Sequence, residues 1–246
     1  DQADDGILNQ SNTVDDEGNT VDYTNNAQFG TTSSMTVQNA NADTYSYDNT
    51  GIVCFAAGTR VRTPHGEVAI ETLQPGDLVN TLDHGPQPLL WVGRRHVNDA
   101  ELTANEELRP VLITKGALGN SRELLVSRQH GMLIGSDYFV RAIHLARDMS
   151  GVRIAHGKRE VTYVHLFFAQ HEIVFAEGIP SESFYPGPEA LKLMSPVERS
   201  EFLRIMPSLN IPEALTSAKV TEVEYGSPAR AFVKLNEIRS AEEAAA

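Results

Sequence analysis

The chain has 246 residues and carries 33 Asp+Glu against 20 Lys+Arg, a net charge of −13. That balance argues against broad contact with nucleic-acid phosphates or anionic lipid, since both need a basic face. A single cysteine, Cys54, excludes an intramolecular disulfide framework and every zinc site that needs two thiolates from one chain.

Length and a 41% hydrophobic fraction fit one domain with an appendage, or two small domains. No apolar run approaches the roughly 20 residues that cross a bilayer, so no membrane span is expected. No basic–apolar signal peptide opens the chain. Charge is unevenly spread. Residues 1–53 hold nine acidic residues and no Lys, Arg or His, a net of −9, which leaves −4 for 54–246. Asn, Thr, Ser, Asp and Gly dominate this first segment. It cannot bury enough apolar surface to offset its ordering entropy. Residues 1–50 are therefore expected to form a flexible linker or the frayed end of a preceding module. The run Asp15-Asp16-Glu17-Gly18-Asn19 invites a calcium reading. It lacks the alternating ligands and distal Glu of an EF-hand loop, so solvated linker is the expectation.

From Cys54 the texture changes. Short β-favouring runs at 59–63, 67–72, 78–82, 89–97, 110–114, 123–127, 131–134, 138–141, 161–169 and 172–176 alternate with Gly/Pro punctuation. Gln74-Pro75-Gly76-Asp77 and Gly85-Pro86 mark turns. Many short strands separated by turns predict an all-β sheet or barrel-like fold rather than βαβ units. A short helix is expected at 144–149. In the tail, Ser195-Pro196-Val197-Glu198 reads as a capping box, with Pro at the first helical position. Phe202, Ile205 and Met206 then share one helical face, and Pro207 stops the run. Residues 188–194 predict a preceding short helix. These helices are expected to pack as a lid on the β-domain, and residues 241–246 to fray.

Cys54 sits where the polar segment gives way to structured sequence. A free cysteine is often a small buried hydrophobe. At the first residue of a domain its thiol can instead attack the Val53 carbonyl through a five-membered ring, exchanging amide for thioester. Such chemistry needs a positioned thiol, an acid for the departing amine, and donors that polarise the carbonyl. A thiol with a pKa near about 8.5 also needs help with its proton at neutral pH. Eight histidines, at 65, 84, 96, 130, 144, 156, 165 and 171, are available. Ser127 lies three residues before His130, and a turn after a strand ending at 127 would aim both side chains at one spot. His165 and His171 flank an apolar strand. A spacing of six would give a metal pair on one face, but Gln170 is expected to open a turn between them.

Three stretches together resemble the Hint superfamily, the Hedgehog/intein autoprocessing domains. In the opening block Cys54, Thr59, Val61, Gly66, Ile70, Leu73, Gly76, Asp77 and Val79 fall in register. The stretch from Leu125 to His130 resembles the Thr-x-x-His block, with Ser127 in place of Thr. Tyr163-Val164-His165-Leu166 and the run from His171 to Ile179 resemble the closing block. The resemblance covers roughly 54–187, and with the tail it is similar to bacterial Hedgehog/intein-type domains.

The resemblance implies an all-β Hint fold with pseudo-twofold halves over 54–187, a helical extension over 188–246, and a passenger tail over 1–53. It implies no cofactor and no metal. The substrate is the chain's own N-terminal passenger, whose main body is expected upstream. The catalytic candidates are Cys54, His130, Ser127, His165 and His171, acting on the Val53–Cys54 bond. His130 is expected to hydrogen-bond and protonate the Cys54 amide nitrogen, and Ser127 to brace that geometry or contact the scissile peptide. His165 is expected to deprotonate the thiol or steady the tetrahedral intermediate, and His171 is the weaker catalytic candidate, with a structural role as its alternative. Intein closing blocks end in His-Asn, but here Gly178-Ile179-Pro180-Ser181-Glu182-Ser183 offers no Asn, which implies upstream cleavage or transfer without full splicing. Val53 stands where Hedgehog proteins carry Gly, and its branched side chain is expected to slow release to water, a thiol or an amine. A secreted or cell-surface bacterial protein is the expected setting. Two alternatives stand beside this reading: a catalytically degenerate Hint fold kept as a secreted binding module, and a metal-dependent hydrolase using His165 and His171.

Overall fold

The computed structural model describes residues 53–234, together with two short strands further upstream. Those strands, β1 (Thr13–Val14) and β2 (Thr20–Val21), form an antiparallel pair. The expectations for the rest of 1–50, for the Asp15–Asn19 run and for 241–246 lie outside the described residues.

From 53 the order is β3 (Phe55–Ala56), β4 (Arg60–Thr63), β5 (Gly66–Ala69), β6 (Leu78–Thr81), β7 (Gly85–Pro88) and β8 (Trp91–Val97). Then follow α1 (Asp99–Ala104), β9 (Val111–Ile113), β10 (Leu124–Val126), β11 (Gly131–Ile134), β12 (Tyr138–Arg141), α2 (Ala142–Asp148) and β13 (Val152–Ile154). The chain continues with β14 (Val161–Phe167), β15 (Ile173–Ala176), β16 (Ile179–Glu182), α3 (Pro188–Leu193), α4 (Pro196–Ile205), α5 (Ile211–Ala214), α6 (Ala218–Tyr225) and β17 (Ala231–Phe232). One sheet has the order β13-β9-β10-β3-β14-β8. The other runs β17-β12-β11-β16-β15-β4-β5, with β6 paired to β15 and β7 to β6.

The elements differ from the sequence expectation at instructive places. The run 67–72 is a strand only to Ala69, after which Ile70–Thr72 coils into a 3₁₀ turn that drives Ile70 into the core. The expected turn at Gly85-Pro86 is the start of β7, and the chain reverses at 82–84 instead. Two prolines are tolerated there because, among the described residues, β7 pairs only with β6, so its far edge needs no N–H donors. The helix expected at 144–149 begins earlier, at Ala142.

Between the sheets lies the main core, which includes Phe55, Val61, Ile113, Leu124, Val126, Val164 and Phe168. The opposite face of β8 and β14 is covered differently. Trp91 and Phe167 pack there with Phe184, Leu191, Phe202 and Tyr225 in a second cluster, so the tail helices share an apolar cluster with the sheet. Ser195 and Glu198 form the expected reciprocal cap of α4. Phe202 is buried as expected and Met206 closes the helix, but Ile205 turns outward. After α6 the chain returns as β17, parallel to β12.

A tight hairpin joins β15 to β16 through Glu177 and Gly178, both at positive φ (51° and 84°). This two-residue geometry matches the twist of paired strands, and it is uncommon for a glutamate. The buried Glu177 carboxylate accepts two bonds from Arg122, both at 3.0 Å, and one from the Arg60 N–H at 2.7 Å. Replacing it strands a buried backbone donor and removes a charge-assisted pair. Glu177→Ala is expected to lower the unfolding free energy by about 2 kcal/mol in urea titrations. An unchanged midpoint and slope would contradict this role.

Candidate functional site

Strand register assembles the site. β3 lies between β10 and β14, with Phe55 opposite Val126 on one side and Val164 on the other. One residue back along β3 is Cys54. The same registers, continued by one residue, set Ser127 and His165 across from it. On β8, Gly93 pairs with His165. Residues directly opposite on neighbouring strands share a face. Gly93, His165, Cys54 and Ser127 therefore form one row across four strands.

The contacts along this row are direct. The Cys54 N–H donates to Ser127 Oγ at 3.0 Å, and the Ser127 N–H donates back to the Cys54 carbonyl at 2.9 Å. His165 Nδ1 lies 2.7 Å from the Val53 carbonyl oxygen. A carbonyl can only accept, so Nδ1 carries the proton and Nε2 is the basic nitrogen. Cys54 Sγ lies 3.5 Å from both ring nitrogens. One imidazole thus touches the sulfur and the carbonyl oxygen of the bond that precedes it. Val53 and Cys54 are only 2% and 1% exposed.

Burial governs the charges. It pushes the Cys54 thiol well above its ordinary range; Arg95 opposes this, Glu198 adds to it, and the Ser127 hydrogen bond opposes it weakly. It pulls His165 down to about 4, with the Val53 carbonyl and Glu198 acting the other way and Arg95 adding to the fall. His130 falls to about 3, first through burial and then through the nearby His165 and His171 rings. Near neutral pH the site therefore holds a thiol and uncharged imidazoles.

The expected hydrogen bond from the Cys54 amide to His130 is not made; Ser127 takes it. His130 is fully buried against Phe55, ring centroids 4.3 Å apart. The Cys54 backbone favours its protonated form, yet among the described residues neither ring nitrogen has a group in hydrogen-bonding geometry. His171 belongs elsewhere. Its Nδ1 accepts the Ala229 N–H at 3.0 Å, and its Nε2–H donates to the Ser183 carbonyl at 3.1 Å. β14 ends at Phe167, so the six-residue spacing to His165 does not continue along one strand. Among the described residues no group of three or more His, Cys, Asp or Glu is placed to share a metal ion.

Several neighbours were not singled out from the sequence. Trp91 stacks on His165, and Phe184 meets the same imidazole edge-on at 5.0 Å. Arg95 and Glu198 supply the fields described above. A Trp-x-Gly pattern in a strand that pairs with the histidine strand was the readable signal. A cavity of about 250 Å³ opens beside Cys54 and is lined by Ser127, Tyr163, Leu108, Arg95 and Leu193 among others.

The depressed histidines link folding to pH. Unfolded chains take up these protons near pH 6.5, whereas folded His130 and His165 stay neutral down to about 3 and 4. Their contribution to stability is thus full above pH 6.5 and is lost as pH falls below it. Each steepens the decline by up to about 1.4 kcal/mol per pH unit. Chemical unfolding of His130→Leu between pH 7.5 and 5 is expected to give a shallower decline than the native chain. Parallel declines would contradict the burial of a neutral His130.

Three comparisons bear on what this arrangement belongs to. Residues 53–188, more than half of the chain, match the family model of the Hint domain. No curated protein matches the chain significantly. Among solved structures, it is similar to a bacterial intein-like domain from Clostridium thermocellum, at 18% identity and TM-score 0.38, over 54% of this chain and 99% of that one. It is similar to the gp41-1 intein at 17% identity and TM-score 0.35, over 52% of this chain and 97% of that one. The MchDnaB-1 intein follows at 12% identity and TM-score 0.35, over 52% and 98%. On the strength of the match over 53–188, with Cys54, Ser127, His130 and His165 inside it, the chain belongs to the Hint domain family.

Proposed function

We propose that this Hint domain cuts its own backbone at Val53–Cys54 by converting the peptide bond to a thioester. Domains of this family act on their own flanking segments. The observation that carries the proposal is the placement of His165, 2.7 Å from the Val53 carbonyl oxygen and 3.5 Å from Cys54 Sγ. Nε2 of His165 takes the thiol proton as sulfur attacks the Val53 carbonyl carbon. The Nδ1–H of the same ring holds the oxygen as it becomes negative. Ser127 fixes the amide plane through the Cys54 N–H. The bond from the Val53 carbon to the Cys54 nitrogen then breaks. The Cys54 nitrogen gains one proton as it leaves, which balances the one taken from the thiol, and we assign its delivery to His130, whose ring nitrogens have no other partner among the described residues. Atoms balance without a cofactor: one C–N bond is exchanged for one C–S bond.

The product is an acyl segment ending at Val53, held on sulfur until a nucleophile takes it. The cavity beside Cys54, about 250 Å³, suits a small acceptor such as water, a thiol or an amine. Without an Asn in the closing block, the reaction stops at upstream cleavage or transfer and does not proceed to splicing.

One observation favours the competing reading of an inactive Hint fold kept for binding: Cys54 is deeply buried and its thiol strongly resists ionisation. That reading requires no thiol-dependent release. Intact-mass spectrometry with and without dithiothreitol separates the two. Release of a fragment ending at Val53, accelerated by the thiol and absent in Cys54→Ala, is expected. His165→Ala is expected to slow release at least about 100-fold, within the range for a positioned acid–base group. Cleavage at Val53 in Cys54→Ala would remove the thioester mechanism.

A further inference from the structure

We propose that Trp91 is a positioning residue for His165, held flat by the missing side chain at Gly93 and pressed into place by the C-terminal helices. The inference rests on the reading that His165 takes part in the cleavage. It extends that reading to residues in no family motif quoted above, and to a tail that lies beyond the matched region 53–188.

The geometry starts from strand alternation. Trp91 and Gly93 are two apart on β8 and so project to the same face. Gly93 is the cross-strand partner of His165. A Cβ at Gly93 would lie 2.1 Å from Trp91 Cη2 and under 3 Å from its neighbours Cζ2 and Cζ3. The indole therefore occupies the space that any other residue at 93 would fill. From there its plane lies 14° from that of the His165 ring, with centroids 6.0 Å apart. Gly93 does not need glycine for its backbone, which is not in the left-handed region; it needs glycine for this overlay.

The tail also packs against the indole. Phe202 of α4 meets Trp91 edge-on at 5.5 Å and also packs edge-on against Phe167 at 4.8 Å. Phe184 touches both Trp91 and His165. An imidazole on a strand retains freedom at its second side-chain torsion unless neighbours restrict it. Here Trp91 stacks against one face and Phe184 packs edge-on beside it, so the ring is wedged from that side. The wedge favours the orientation in which the ring reaches both the Val53 carbonyl and Cys54 Sγ. A 1 Å drift of the ring would be enough to cost much of the rate. The helical tail thereby becomes part of the site's support, through a contact chain Phe202–Trp91–His165.

The test compares cleavage rates of folded variants, with folding checked by far-ultraviolet circular dichroism and a cooperative thermal transition. Trp91 is the only tryptophan, so its fluorescence reports its packing where it is retained. Gly93→Ala is expected to displace the indole, change the tryptophan signal and slow thiol-induced release at Val53 at least tenfold. Adding Trp91→Phe to Gly93→Ala shortens the ring away from the new methyl and is expected to recover at least threefold of that loss. A purely structural role would not produce such a rescue. Should Gly93→Ala fail to fold, Trp91→Leu and Phe202→Ala serve instead, each expected to slow release at least fivefold. Release at the native rate in folded Gly93→Ala, or in both alternative variants, would overturn the inference. His165→Ala, measured in parallel, distinguishes the two levels. If it is slow while the Trp91 and Gly93 variants are native-like, only the positioning inference fails. If His165→Ala itself is native-like, the mechanism beneath it fails as well.

Discussion

The pairing of a two-residue strand, β3, between β10 and β14 is the constraint on which the rest of the site depends. With Phe55 locked opposite Val126 and Val164, Cys54 can only face Ser127 and His165. A slip of one residue on either side would send the sulfur or the imidazole to the opposite face of the sheet. The register is defended by burial, since Phe55, Val126 and Val164 all lie in the main core. Packing energy far larger than any single polar contact thus fixes a geometry that polar contacts alone would not hold.

The electrostatic character of the site follows from the same burial. A row of side chains buried this deeply has little water to stabilise charge. The thiol stays protonated and the imidazoles stay neutral, as the raised Cys54 and lowered His130 and His165 values show. A reaction that begins and ends with neutral groups, moving one proton from sulfur to nitrogen, suits such an environment better than one that needs a standing thiolate. Arg95 and Glu198 act on the thiol in opposite directions, so the outer shell leaves the field near Cys54 partly balanced.

Much of this was legible in the sequence, and the limits have physical causes. The β-rich body, the cap of α4 and the grouping of Cys54, Ser127 and His165 followed from turn chemistry, capping pattern and motif resemblance. What failed were features that depend on which strand neighbours which. Hydrogen bonding of the Cys54 amide to Ser127 rather than His130 is a matter of register across 73 residues. β16 was hidden by Pro180, tolerated because the strand pairs with β11 at a single register position, Ser181. β7 was hidden by two prolines on a sheet edge. α1 carried a readable capping box at Asn98 and Glu101, but six residues give too little periodicity to stand out. Glu177 at positive φ, and Trp91 lying over Gly93, are set by tertiary packing and leave no local pattern beyond their spacing.

The central claim is that Val53 becomes an acyl group on the Cys54 sulfur. Incubation with hydroxylamine, followed by mass spectrometry of the released fragment, tests it most directly. A thioester gives a hydroxamate on the Val53 carboxyl carbon, and that product is expected from the native chain. A fragment released only with a free carboxylate under the same conditions, or a break at any other bond, would contradict it.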